Sequence, residues 1–131
     1  LLQQTGCSSW NDCVLMWKVY DQNQYVSENW MFISSPKNIV ANDPQFQFTD
    51  VQLVTDNEFQ ITFTSKATAA FVWLETEVDG FFENNGFLMT AGEKSILFYS
   101  QQTTTLSQLT QSLKVYSLYE MGGFQNQPWK N

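Results

Sequence analysis

The sequence predicts an all-β fold, and three observations predict it. Short runs rich in β-branched and aromatic residues alternate with clusters of turn residues. Aromatic residues make up 16% of the 131 positions, a bias that favours strands. No helical period persists except across 106–113, where Leu106, Leu109 and Leu113 share one face. That stretch reads either as a short helix or as a loop feeding the next strand.

A first strand is expected over about 13–20, with Leu15, Trp17 and Val19 on one face and Val14, Met16, Lys18 and Tyr20 on the other. Asp21-Gln22-Asn23-Gln24 makes the turn. A second strand covers about 29–34 and ends before Pro36, because proline cannot donate to a ladder. The clearest hairpin follows: Phe48, Val51 and Leu53, then Phe59, Ile61 and Phe63, flank Asp56-Asn57, a pair that tolerates the positive φ of a tight turn. Glu58, Gln60, Thr62 and Thr64 alternate with the apolar residues, so one face is core and the other water. Phe71, Val72, Trp73 and Leu74 break that alternation, and a fifth strand over about 69–76 is expected to be covered on both faces. Gly80 and Gly86 are expected to take positive φ in two tight turns. Strands over about 94–99 and 113–119 complete the set.

About seven modest strands in this length predict a two-sheet, immunoglobulin-like β-sandwich. The long-range Cys-Trp-Cys pattern of immunoglobulins is absent, since both cysteines lie near one end. Residues 7–120 are read as one domain and 121–131 as a tail. The opening LLQQTGC has neither an initiator methionine nor a signal-like start, and reads as a segment of a longer chain.

Composition excludes several functions. The formal charge is −7, and there is no histidine and no arginine. Six lysines make no basic stripe, so no nucleic-acid partner is expected. Without histidine this chain alone supplies no Ser-His-Asp triad, Cys-His pair or His-ligated metal. No apolar run approaches the roughly 20 residues of a membrane span, so no membrane partner is expected. Neither cofactor nor metal is expected.

Cys7 and Cys13 enclose SSWND, whose Ser, Asn and Asp suit a turn. The spacing admits a local disulfide, which implies an oxidising compartment, or two reduced thiols in a cytosolic protein. Glu75, Glu77, Asp79 and Glu83 lie close in sequence, as the paired carboxylates of glycoside hydrolysis require. However, Glu75 and Glu77 fall about 7 Å apart along one face of a strand end. A solvated strand end is the expected outcome, and no catalytic residue is assigned. Trp10, Phe81, Phe82, Phe87 and Trp129 fall outside the alternating strands. Large apolar loop residues mark interfaces, so Trp10, Phe81, Phe82 and Phe87 are candidate contacts with a neighbouring domain; a sugar platform is the alternative.

Specific motifs extend this picture. The FVWL run at 71–74, the G-x-F-x-x-N-G-F segment from Gly80 to Phe87, and ILFY at 96–99 together resemble the C-terminal region of β-mannosidases of glycoside hydrolase family 2. FISSPK at 32–37, the close cysteine pair and the closing SLKVYSL are further, weaker likenesses. The resemblance implies an immunoglobulin-like accessory domain packed on the rest of an enzyme that releases terminal β-linked mannose. Such enzymes are retaining and use two glutamates on a (β/α)₈ barrel. No residue here matches those glutamates. The resemblance also implies a lysosomal or secreted protein, with a mannose-containing glycan as a further possible partner.

Overall fold

The computed structural model describes residues 7–121. They fall into two compact units, 7–41 and 42–121. Trp129 and the rest of the expected tail beyond Met121 lie outside the described residues. No helix among the described residues is long and apolar enough to cross a membrane.

The first unit is a hairpin behind a disulfide. Cys7 and Cys13 are bonded, with their Cα atoms 5.8 Å apart. A 3-10 turn, Trp10–Asp12, sits between them. Strands β1 (Val14–Asp21) and β2 (Gln24–Phe32) then pair antiparallel. Gln22 and Asn23 both take positive φ, 45° and 68°, the backbone of the two-residue turn that follows strand twist most closely. A second 3-10 turn, Pro36–Asn38, begins at the proline, and Val40 N–H donates to the Asn11 carbonyl at 2.9 Å.

The second unit is the sandwich. A four-stranded sheet runs in the order β3 (Gln47–Thr55), β4 (Glu58–Ser65), β8 (Gly92–Ser100), β6 (Gly80–Phe82). A three-stranded sheet runs β7 (Phe87–Met89), β5 (Ala69–Glu75), β9 (Lys114–Tyr116). Phe59, Ile61, Phe63, Ile96 and Phe98 of the first sheet meet Ala69, Val72, Leu74, Phe87 and Met89 of the second in one core. Strand β4 shows why: its residues alternate strictly between half-buried and buried. Phe59, Ile61 and Phe63 are fully buried, each contributing about 1.5–3 kcal/mol over exposure.

Seven strands build this sandwich, but they are not the seven of the sequence pattern. The two N-terminal strands pair only with each other among the described residues. Two three-residue strands, β6 and β7, replace what reads as a pair of turns. The hairpin at Asp56-Asn57 closes without positive φ. A register shift between Leu53 and Thr55 supplies its twist instead.

The dense apolar run of β5 also has a local cause. Pairing with β7 shifts between Ala69 and Val72, and Phe71 takes φ 53°, a bulge with one residue in the left-handed region. The extra residue lets Ala69 and Val72, three apart, both face the core. On the outer face, the Trp73 ring stacks on Tyr116 at 5.4 Å, and its Nε1–H donates to Glu75 at 3.2 Å.

The 106–113 stretch is a helix, α1 (Leu106–Ser112). Thr105 and Gln108 form a reciprocal capping box at its start. Leu109 alone is fully buried, and it joins the core of the sandwich.

Candidate functional site

The most specific segment of the sequence, 80–89, carries the chain from one sheet to the other. Strand β6 pairs with β8, and β7, five residues later, pairs with β5. Each motif residue serves this crossing. Gly80 does not take positive φ, contrary to expectation. It is glycine for space: a Cβ there meets the Tyr99 carbonyl oxygen at 2.2 Å and the Phe98 ring at 2.6 Å. The Phe82 ring fills the other side of Phe98, with centroids 4.9 Å apart. Gly86 does take positive φ, 77°, and its N–H donates to the Val72 carbonyl at 2.8 Å.

Asn85 acts as a piece of strand. Its Oδ1 accepts from Leu74 N–H at 2.7 Å, and its Nδ2 donates to the Leu74 carbonyl at 3.0 Å. One side-chain amide thus satisfies both backbone groups of a residue whose side chain is in the core. The sequence pattern shows Asn85-Gly86 only as a turn; nothing in its period signals an amide completing a ladder.

The outer face of the four-stranded sheet carries the exposed aromatic surface. Register places Phe81 opposite Tyr99, Glu58 opposite Tyr99, and Gln60 opposite Leu97. The Phe81 and Tyr99 rings stack at 5.1 Å and 27°. Phe81 is 61% exposed, the highest value among the large hydrophobics of the described residues. The other contact candidates lie elsewhere. Phe82 is half-buried against Phe98. Phe87 is buried in the core, with Lys94 Nζ 5.0 Å from its ring centroid. Trp10 is exposed in the first unit.

Two of the neighbouring carboxylates are engaged elsewhere. Glu75 accepts from Trp73, and Glu83 accepts from Leu97 N–H at 3.1 Å. Glu77 and Asp79 line a shallow depression of about 220 Å³ with Gln102, Thr103, Thr104 and Gln108. A second, of about 480 Å³, shares Glu77 and Gln108 and adds Gln111, Ser112 and Lys114. Neither presents an aromatic ring.

Cys7, Asp12 and Cys13 bring their ligand atoms within 4.8 Å of one another. The two sulfurs are bonded to each other, so neither is the thiolate a metal requires. Asp12 instead caps the 3-10 turn, accepting from Ser9 N–H at 3.0 Å, Ser8 N–H at 3.1 Å and the Ser8 hydroxyl. These bonds, the Ser8 hydroxyl foremost and then Ser9 N–H, hold its carboxyl below its ordinary value against a weaker opposing effect of burial. The stabilisation is therefore present above the unfolded value of about 3.9 and is lost as pH falls through the lowered folded value. A ¹³C carboxyl titration by NMR is expected to place the Asp12 midpoint below that of a free aspartate, and Ser8→Ala to move it back up.

A two-sheet sandwich of seven strands with a short capped helix before its last strand defines an immunoglobulin-like domain. The model of the Ig-fold domain of mannosidases matches residues 42–121, the second unit, and the chain belongs to that family. The chain is 33% identical over 115 residues to a β-mannosidase of goat (Capra hircus), covering 86% of this chain and 13% of that protein. It is 32% identical over 115 residues to the β-mannosidase of cattle (Bos taurus) and 32% over 122 residues to that of mouse (Mus musculus), with the same coverage. The chain thus spans about an eighth of the length of the curated relatives it matches.

Proposed function

We propose that this chain is the non-catalytic C-terminal accessory part of a β-mannosidase-like glycoside hydrolase, packing on and stabilising the rest of that enzyme. The parent enzyme releases terminal β-linked mannose at a site outside this chain. The observation that carries the docking role is the Phe81–Tyr99 stack: a large ring, 61% exposed, on the solvent side of a sheet whose other face is core. A large ring left this exposed on a strand fits a contact surface covered by a neighbouring domain. Glu75 and Glu83 are tied to indole and backbone, and Glu77 and Asp79 line only a shallow, open depression, which supports the absence of a catalytic role. A lysosomal or secreted location fits the Cys7–Cys13 disulfide, which forms in oxidising compartments.

Two measurements test this. The purified chain is expected to show no turnover of a chromogenic β-mannoside; measurable turnover defeats the non-catalytic reading. Phe81→Ser is expected to lower the chain's own unfolding free energy by about 1 kcal/mol, the worth of the lost ring stack. In the full-length protein the same change is expected to cost more and to lower the melting midpoint by several degrees. Equal effects in both proteins remove the docking role.

The same ring pair supports a second reading, a module that binds mannose-containing glycan, because the exposed Phe81 ring stacked on half-buried Tyr99, beside Gln60 and Glu58, offers a sugar both a platform and polar partners. Titration of manno-oligosaccharides decides between them. No shift of the Phe81 and Tyr99 ring signals by NMR at millimolar ligand leaves docking, and saturable shifts abolished by Phe81→Ser establish glycan binding.

A further inference from the structure

The sequence holds one Asn-Gly pair, Asn85-Gly86. Such a pair carries a reaction of its own. The backbone nitrogen that follows an asparagine attacks the side-chain amide carbon, and a glycine there has no Cβ to crowd that nitrogen. Both residues are exposed. Nothing lies within 4 Å of where a Gly86 Cβ would stand, so water reaches the pair.

The fold ties the two reacting groups to different residues of β5. The Gly86 N–H is donated to the Val72 carbonyl at 2.8 Å. The Asn85 amide is held two residues further on, by Leu74 N–H at 2.7 Å and the Leu74 carbonyl at 3.0 Å. Ring closure turns the amide towards the Gly86 nitrogen and frees that nitrogen's proton, so these bonds must first break. The flanking residues stay in place. Glu83 is bonded to Leu97 through its N–H at 2.9 Å and its carboxylate at 3.1 Å, and Phe87 is buried in the core. The opening is therefore local to 84–86.

We propose that Asn85 is a site of spontaneous deamidation, gated by the parting of 84–86 from β5, and that the product bars the segment from closing again. In the open state, water or hydroxide removes the Gly86 amide proton. The nitrogen's electron pair forms a bond to Asn85 Cγ. The Cγ–Nδ2 bond breaks, and Nδ2 takes up a proton and leaves as ammonia, which closes a succinimide ring. Water then adds to one of the two ring carbonyls. Opening at Cγ gives aspartate; opening at the backbone carbonyl carbon gives isoaspartate, whose chain runs through Cγ. The net change consumes one water and releases one ammonia. Aspartate turns a carboxylate on the Leu74 carbonyl in place of a donor. Isoaspartate puts one more carbon into the backbone before Gly86, which moves its N–H off Val72 and draws Phe87 from the core. A transient opening thus becomes permanent. The inference is independent of the docking and glycan readings.

The test holds the full-length protein at mildly alkaline pH, folded and in denaturant. Cleavage after Lys66 and Lys94 releases the peptide 67–94, whose mass and fragmentation separate Asn85 from Asn84. Asn85 is expected to convert to both aspartate and isoaspartate, faster as pH rises. The folded protein is expected to convert about a hundredfold or more below the rate in denaturant. Amide exchange at Leu74 and Gly86 reads the same opening, so its slowing is expected to match that factor. Equal rates in both conditions, a mismatch with exchange of more than about tenfold, aspartate without isoaspartate, or no conversion in denaturant each overturn the proposal. Gly86→Ala, compared in denaturant where folding plays no part, is expected to slow conversion severalfold, and an unchanged rate overturns the Gly86 attack. Converted molecules, separated by their added negative charge, are expected to melt several degrees below unconverted ones. An equal midpoint overturns the one-way step.

Discussion

Asn85→Ala destabilises the sandwich by about 2–3 kcal/mol, as measured by denaturant unfolding of the chain. The substitution removes both partners of Leu74, whose N–H and carbonyl bond the Asn85 amide at 2.7 and 3.0 Å. Each backbone group left unpaired in a partly buried place costs about 1–3 kcal/mol. Solvent reaches Asn85 itself, so water recovers part of the loss and the sum falls short of the ceiling. The corresponding drop in melting midpoint is on the order of 10 °C for a domain of this size. Asn85→Asp keeps the acceptor for Leu74 N–H but turns the donor into a charge facing the Leu74 carbonyl, so it is expected to destabilise as well. A change below about 0.5 kcal/mol for Asn85→Ala means the amide does not act as a strand.

Gly80→Ala is expected to cost about 3 kcal/mol, at the upper end of ordinary overpacking. The nearest obstacle to a new methyl is the Tyr99 carbonyl at 2.2 Å, a backbone atom that no rotamer moves. The Phe98 ring at 2.6 Å is 1% exposed and held between Phe59 and Phe82. Relief requires β6 to separate from β8, which also displaces Phe81 from Tyr99. Equilibrium unfolding checks the cost, and near-ultraviolet circular dichroism checks the ring stack. Gly86→Ala acts differently: its Cβ meets open space, so only the strain of φ 77° remains, about 1 kcal/mol.

These residues show what was legible in the sequence and what was not. The fold class rested on period two, and strand β4 displays it without a break because one sheet face meets core and the other water. The doubly apolar run at 71–74 was legible as unusual, but its cause was not: a bulge at Phe71 rotates the strand between Ala69 and Val72. Strands of three residues are too short for any period, so the sequence around β6 and β7 shows only its turn residues. Gly80 reads as a turn residue because a sequence cannot show that a carbonyl lies 2.2 Å from an absent Cβ. The helix start was the converse case. Thr105 and Gln108 stand three apart, as a capping box requires, and that signal was available before the fold was known.

The surface candidates divide along the same line. Phe81 and Phe82 are adjacent in sequence and indistinguishable by composition. Strand alternation sends Phe81 outward onto Tyr99 and Phe82 inward onto Phe98. Phe87 follows a positive-φ glycine and enters the core at the start of β7.

The central claim is that residues 42–121 support an enzyme without taking part in its chemistry. Deleting everything after residue 41 from the full-length protein tests it most directly, with turnover of a β-mannoside and thermal unfolding measured together. Folded molecules are expected to keep their kcat at low temperature while the melting midpoint falls and the half-life at working temperature shortens. A kcat lost outright, with the melting midpoint unchanged, would place this domain in the chemistry and rule out a purely supporting role.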